Sequence, residues 1–312
     1  MNGAQKKMLC ILYVIAVGTL LGTIGLLVER VLPEGWPRRW VWCAIIPISI
    51  IIPGIYRTRH AWSVTPMLEA PAAPHSGLIA FIDSCDVIIN RFWLITSAAL
   101  VVLGLVNVLR VWLVIHQSRR RADVRNPAAI DGIPVVVTDS VGPATFGLVS
   151  PRILVPRWVL ALPSIQRQYV LRHEDEHRKS SDQRLLFVMS LTLLLMPWNL
   201  ALWWLLRRLR LAVEMDCDNR VVGALGNPRA YGELLFKIGQ AASRGPRLQP
   251  ALLGVGMLER RLTVLLAPTP LKHVQRFLLP AAAFALLLLV LWMPHPVLGP
   301  DSHANMTMTS AR

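Results

Sequence analysis

Long apolar stretches, separated by short polar loops, dominate the hydropathy pattern of this chain. Four of them predict membrane-spanning helices, the last one short and carrying Pro280 near its start: Met8–Val28, Trp40–Tyr56, Phe92–Ile115 and Phe277–Met293. A cleaved signal peptide is the alternative for the first stretch, because Lys6 and Lys7 precede it. Its apolar run of about 20 residues is long for a signal peptide and ends without a small-x-small cleavage site, which favours an uncleaved span.

Composition supports a membrane protein with one large polar domain. The chain is 54% hydrophobic, and its mean hydropathy is +0.48. Its net charge is +15, and residues 117–276 hold 23 Lys and Arg against 12 Asp and Glu. Arg119–Arg121 follow the third span, and positive charge beside spans marks the cytoplasmic side. A nucleic-acid-binding domain is the alternative. The basic residues flank apolar segments, however, where lipid headgroups account for them, so we expect no direct nucleic-acid contact.

This charge distribution predicts how the chain is divided. We expect a membrane bundle with three spans, a cytoplasmic domain, a last span and a short outer tail: residues 1–116, 117–276, 277–293 and 294–312. The loop 57–90 is then outside the membrane, as is the N-terminus. Lys6 and Lys7 fit this orientation poorly, but the reverse orientation would place the whole basic domain outside. The four cysteines show no paired spacing, so they predict neither a disulfide framework nor a Cys-rich zinc site.

The sequence His-Glu-Asp-Glu-His at residues 173–177 carries the clearest chemistry in the polar domain. Two histidines four residues apart on a helix share one face, so His173 and His177 can reach a single metal ion. Glu174 then lies beside the metal, where it can accept a proton from water and pass it to a leaving amine. This is the zinc-peptidase pattern. A charged surface helix with incidental histidines is the alternative, and in either case Asp175 and Glu176 should point outward into solvent.

Zinc in hydrolases takes three protein ligands, so a third is needed. The segment 212–222 is compatible with a helix and carries three carboxylates. Glu214 and Asp218 share a face at helical spacing, so we assign Glu214 as the ligand and Asp218 as the acceptor for a ligating histidine. A solvated acidic face is the alternative. Cys217 is a candidate soft ligand, but it lies off the Glu214 face and is interpreted as a small buried hydrophobe.

The apolar stretch Leu185–Leu206 separates these two segments. As a simple span it would place Glu214 on the opposite side of the membrane from His173. Pro197 divides it into about twelve and about seven apolar residues, each too short to cross alone. We therefore predict a re-entrant hairpin that enters and leaves on the cytoplasmic side and packs against the other spans.

The rest of the polar domain predicts a small α+β unit. Residues 165–179 contain no Gly or Pro, and Ser164 is the expected N-cap of a helix over 164–179. Upstream, 133–138 and 145–156 predict short strands separated by Gly142 and Pro143. An edge of this sheet near the metal would let an extended substrate add as a strand. An ordinary packing sheet is the alternative.

At this point the chain resembles a known family, the membrane-embedded gluzincin peptidases that include the β-lactam sensor/signal transducers of bacteria. The resemblance covers roughly residues 85–295 and rests on ordered motifs: Pro143–Pro156, Leu171–Asp182, Pro197–Asn199, Glu214–Asp218 and Asn227–Leu235. It implies His173, His177 and Glu214 as Zn²⁺ ligands, with Glu174 as the catalytic base and Asp218 behind the ligands. The proline that the family has after the hairpin asparagine is replaced by Leu200. Only nineteen residues follow Met293, so we expect a short member without the penicillin-binding sensor.

The sequence therefore predicts a mainly α, polytopic protein of the bacterial inner membrane with about four transmembrane helices, one hairpin and a cytoplasmic zinc-peptidase domain. The expected activity is that of a signal-transducing endopeptidase that cleaves a cytoplasmic repressor, itself, or both. Tyr231 and Arg220 are the candidates for an additional oxyanion donor. The expected partners are a protein substrate, the lipid bilayer and, in a homodimer, a second copy of the chain. A quality-control zinc protease and a non-catalytic receptor or scaffold subunit are the alternatives.

Overall fold

The computed structural model is mostly helical, with one small sheet. It describes residues 3–33, 35–61, 91–106, 108–110, 112–113, 128–138, 143–244, 251–266 and 274–293. The described residues leave out most of the predicted outer loop 57–90, Arg119–Arg121 and the predicted tail 294–312. The side chain of Lys6 also lies outside the description. The predictions for those segments therefore stay predictions.

The long apolar helices occur where the hydropathy pattern predicts them. They are α1 (Gly3–Val31), α2 (Arg39–Ala61), α3 (Arg91–Arg110) and α11 (Gln275–Trp292). Within the described residues, α1, α3 and α11 are long and apolar enough to cross a membrane. The apolar part of α2, Arg39–Ile55, is shorter than the other three and contains Pro47 and Pro53.

The helices of the bundle pack closely around one core. Helix α1 packs against α2, α11 and α8 (Leu200–Leu225), and Trp42, Ile46, Leu202 and Leu205 are buried between them. Gly22 allows the close approach of α1 to α8, because a Cβ atom there would lie 2.0 Å from the Trp204 ring. Burial of these side chains ties the apolar helices to α8, which also carries part of the polar domain.

The chain folds back between the two halves of the apolar stretch Leu185–Leu206. Helices α6 (Asp182–Ser190) and α7 (Thr192–Leu195) lead to the turn, and α8 leaves it. Asn199 caps α8, since its side-chain oxygen accepts a hydrogen bond from the amide of Leu202. Both α6 and α7 contact α8. The continuous α8 therefore returns the chain to the end of the fold where α5 (Ser164–Lys179) lies.

The small sheet contains β1 (Ala128–Ile130), β2 (Ile133–Thr138), β3 (Ala144–Phe146) and β4 (Arg152–Pro156), in the order β1-β2-β4-β3. The predicted strand 133–138 is β2, whereas the predicted strand 145–156 is wrong as one element. It forms the antiparallel pair β3 and β4, because Gly147 adopts a φ of 109° in the turn between them. Strands β2 and β4 are parallel. Strand β3 is therefore an edge of the sheet among the described residues.

Helices α4 (Arg157–Leu160) and α5 pack on this sheet. Side chains of α8, α9 (Pro228–Arg244) and α10 (Ala251–Leu266) complete a second core with them. Val135, Ile153, Leu171, Val221 and Tyr231 are among its buried members. This core places α5, α8 and α9 side by side, and the residues of the candidate site lie on their facing surfaces.

Candidate metal centre

The two histidines of α5 face the same point. Their Nε2 atoms lie 3.2 Å apart, as expected for residues four apart on a helix. The predicted helix 164–179 has the same bounds in the structure, but Ser164 is not its N-cap. Pro163 takes that position, because its φ of −51° and ψ of 145° make it the last non-helical residue.

Glu214, on α8, reaches both histidines. Its Oε2 lies 3.6 Å from Nε2 of His173, and its Oε1 lies 3.8 Å from Nε2 of His177. Two imidazole nitrogens and a carboxylate therefore converge, which is a donor set that zinc takes in hydrolases. This donor set fits a zinc ion, and the structure brings together the three residues that the sequence predicts as ligands.

Cys217 is a second donor beside the histidines. It is fully buried, as expected, but its Sγ lies 3.3 Å from Nδ1 of His173. The ligand atoms of His173, His177 and Cys217 lie within 4.8 Å of one another, so the thiolate is the alternative third ligand. We favour Glu214, because the Nε2 atoms approach each other and this carboxylate, whereas the Nδ1 of His173 is engaged by Tyr231.

Glu174 lies next to the first histidine and is buried. Thr145 in the edge strand β3 packs against it: Oγ1 lies 2.7 Å from the Glu174 carbonyl oxygen and 3.0 Å from its carboxylate Oε2. The sheet edge therefore borders the candidate catalytic base. Sequence reasoning placed a strand here but missed the role of Thr145, for which the sequence carries no local signal.

Tyr231 and Asp218 form a chain of hydrogen bonds that begins at Nδ1 of His173. The Tyr231 hydroxyl lies 2.9 Å from Nδ1 of His173 and donates to Asp218 Oδ1 at 2.7 Å. Asp218 itself is 3.6 Å from Nδ1, so it acts on the histidine through Tyr231. This bridging position does not match the oxyanion role expected for Tyr231, because its hydroxyl faces Nδ1 and not the Nε2 side.

Arg261 of α10 neutralises the two carboxylates and was missed by sequence reasoning. It donates to both oxygens of Asp218 at 2.8 Å and 2.7 Å, and its Nη1 lies 3.0 Å from Glu214 Oε2. Burial alone would raise the pKa of Glu214, but Arg261 and the two histidines outweigh it and lower that pKa. The carboxylate is therefore charged in the range where metal binds.

Asp182 orients the second histidine. Nδ1 of His177 donates to Asp182 Oδ2 at 2.8 Å, which directs Nε2 toward Glu214. Ser181, with a left-handed φ of 54°, forms the turn that brings Asp182 back to the histidine. Burial alone would lower the pKa of His177, but Asp182 and Cys217 raise it well above its ordinary value.

The expectation that Asp175 and Glu176 point into solvent is wrong. Both are buried, because each meets cationic partners that compensate for its desolvation. Asp175 pairs with Arg178 and Lys179 at 2.6 Å in each case. Glu176 pairs with Arg172 at 2.8 Å and with Arg220 at 2.9 Å. Arg220 thus pairs with Glu176, and its Nη2 also lies 3.7 Å from Asp182 Oδ2, a position that does not match its expected oxyanion role.

Comparison with known proteins gives one family and one relative. The family model described as BlaR1 peptidase M56 matches residues 9–265. The regulatory protein BlaR1 of Bacillus licheniformis is 27% identical over 111 residues, which are 35% of this chain. The alignment covers 18% of that relative's length. The matched family range contains α1 from Leu9 onward, all of α2, α5 and α8, and every residue of the candidate metal centre.

Proposed function

Because this chain belongs to the BlaR1 peptidase M56 family, we propose that it is a zinc endopeptidase that transduces a signal by cutting a cytoplasmic repressor, itself, or both. The family makes it a membrane-bound metallopeptidase of the signal-transducing kind, and the apolar helices agree with a place in the membrane. One observation carries the proposal: His173, His177 and Glu214 converge beside a buried glutamate, Glu174. A structural zinc site needs no such base.

The ligand residues and the base have separate tasks. His173, His177 and Glu214 would hold zinc, which when bound supplies a Lewis acid that polarises the peptide carbonyl. Glu174 accepts a proton from the attacking water and returns it to the leaving amine. Thr145 fixes the base through its contacts with the Glu174 backbone and carboxylate. Asp182 and Tyr231 orient the two imidazoles.

The edge strand β3 supports an extended peptide as substrate. It pairs with β4 along one side only among the described residues, and Thr145 in its middle contacts Glu174. A substrate added to this edge would bring its peptide bond past the base. Specificity would then come from side chains of every second substrate residue.

We further propose that the site faces the cytoplasm of a bacterial cell across its inner membrane. Arg38 and Arg39, which follow the loop between α1 and α2, contact acidic residues of α6 and α8. This loop therefore shares one side of the bundle with the metal centre. The excess of positive charge in residues 117–276 favours the cytoplasmic side for both. We also propose that two copies of the chain pair as a homodimer in the bilayer.

The test compares new protein N-termini in host cells that make the wild type, Glu174→Gln or Glu233→Gln at matched membrane levels. Glu233 lies exposed on α9 and serves as the matched Glu-to-Gln control. We expect a short set of cleavages, including a small DNA-binding repressor or this chain, that is lost only in Glu174→Gln. A long set of membrane proteins would indicate quality control. Identical sets in all three, with zinc bound to each purified protein, would indicate a non-catalytic receptor or scaffold.

A further inference from the structure

Arg39, the first residue of α2, is buried at the boundary between the apolar bundle and the metal centre. Its Nη1 pairs with Asp182 Oδ1, and its Nε lies 3.1 Å from Asp216 Oδ2. The amides of Arg38 and Arg39 also donate to the Asp216 carboxylate, at 2.9 Å and 3.0 Å. Asp216 of α8 thus caps α2, while the Arg39 side chain joins α2 to α6.

The contact with Asp182 continues to the metal site. While Oδ1 of Asp182 pairs with Arg39, Oδ2 accepts the hydrogen bond of His177 Nδ1 at 2.8 Å. Asp182 is almost fully buried, so its orientation depends on these partners and on Arg220, which lies 3.7 Å from Oδ2. An acceptor that fixes the far nitrogen of a ligating imidazole sets its tautomer and its orientation. The guanidinium of Arg39 therefore acts on His177 through one carboxylate.

We propose that Arg39 is a positioning residue that couples α2 to the metal ligand His177 through Asp182. The inference rests on the proposed metal site but adds a path into it from an apolar helix. A shift of α2 moves Arg39, because Asp216 also holds the start of that helix. Asp182 then follows, and the direction of His177 Nε2 changes. A signal that reaches α2 thereby changes the geometry of the metal site without touching Glu174.

A second buried ion pair supplies the matched control. Arg208 of α8 pairs with Glu29 of α1 at 2.7 Å, and their side chains are 12% and 9% exposed, against 6% for Arg39. This pair joins the same bundle to the same helix α8, but neither residue contacts a histidine among the contacts of the described residues. A general loss of bundle stability would appear in Arg208→Gln as well as in Arg39→Gln. Only a positioning role distinguishes them.

The experiment uses the full chain in detergent, loaded with Co²⁺ in place of zinc. We expect Arg39→Gln to lower Co²⁺ affinity about 10–100-fold, the range typical for groups that orient a metal ligand. Its ligand-field absorption spectrum should also differ from that of the wild type. Arg39→Lys, which keeps the charge and serves if the Gln variant fails to fold, should give an altered spectrum, since an ammonium lacks the fork that spans both carboxylates. Arg208→Gln should keep affinity and spectrum.

A metal-independent readout accompanies these measurements. In metal-free protein, Arg39→Gln should speed hydrogen exchange at residues 177–185, whereas Arg208→Gln should leave exchange there unchanged. Unchanged Co²⁺ affinity and spectrum in both Arg39 variants would overturn this inference alone. A wild-type protein that binds no Co²⁺ or Zn²⁺ would overturn the proposed function, and this inference with it.

Discussion

Thr145 Oγ1 lies 3.0 Å from the carboxylate of Glu174 and 2.7 Å from the carbonyl oxygen of the same residue. One side chain of the sheet edge thus holds both the backbone and the acid of the candidate base. A hydroxyl has a single proton, so its two acceptors share one donor. This arrangement fixes where the carboxylate lies relative to a peptide bound along β3.

Thr145→Val should therefore slow cleavage while zinc content stays at the wild-type level. A hydrogen bond to a charged group contributes about 1.5–3 kcal/mol, which corresponds to roughly a 10- to 100-fold loss of kcat/KM. Thr145→Ser keeps the hydroxyl and should stay within about threefold of the wild type on the same scale. The measurement is the initial rate of cleavage of the substrate identified from new N-termini. Equal rates for the Val and Ser variants would contradict this role.

Glu214 and Cys217 are the two candidates for the third zinc ligand, and the zinc affinities of their variants should show which of them binds the metal. Glu214→Gln should lower zinc affinity by more than about 100-fold, beyond the range of groups that only orient ligands. Cys217→Ser should change it by less than about tenfold. Competition with a chromophoric chelator on purified protein measures both. The reverse order of effects would assign the thiolate of Cys217 as the ligand.

The sequence predicted features that depend on neighbouring residues, but it did not predict ion pairs between residues far apart in the chain. The bounds of α5 and the shared face of His173 and His177 follow from helical spacing and a proline before the helix. The burial of Glu176 depends on Arg220, which lies 44 residues away, and Arg39 reaches Asp182 across 143 residues. Such pairs leave no periodic signal, because each depends on how separate helices dock. Asp182 is close in sequence to His177, but its role depends on the left-handed Ser181.

Asp175 should make the stability of the protein depend on pH. Burial alone would raise its pKa, but hydrogen bonds from Lys179 and Arg178 outweigh burial and lower it below the ordinary 3.8. The folded state thus favours the charged form. Its contribution is present above that ordinary pKa and is lost as the pH falls through the lower value of the folded state.

Asp175→Asn should therefore lower the thermal midpoint in detergent at pH 7. The expected loss in the free energy of unfolding is only about 1 kcal/mol, because the partners Arg178 and Lys179 are partly exposed. The difference from wild type should begin to shrink as the pH falls below the ordinary pKa of 3.8, and should go on shrinking as the pH falls through the lower pKa of the folded state. Asp131→Asn tests the same substitution in a partly exposed pair with Arg167 and should have little effect. A difference for Asp175→Asn that is constant from pH 7 to pH 3 would contradict the assigned charge.

Arg261 joins α10 to the metal centre, so its loss should depend on whether metal is present. In metal-free protein, Arg261→Gln leaves the carboxylates of Glu214 and Asp218 without their shared cation, at a cost of about 2–4 kcal/mol. Zinc bound at Glu214 would replace part of that positive charge. The thermal midpoint should therefore fall more in chelator than in zinc, relative to wild type under each condition. Arg260→Gln, an exposed neighbour on the same helix, is the control and should shift neither midpoint. Equal shifts of Arg261→Gln in both conditions would mean that Arg261 supports the helix packing but does not compensate for the charge of Glu214.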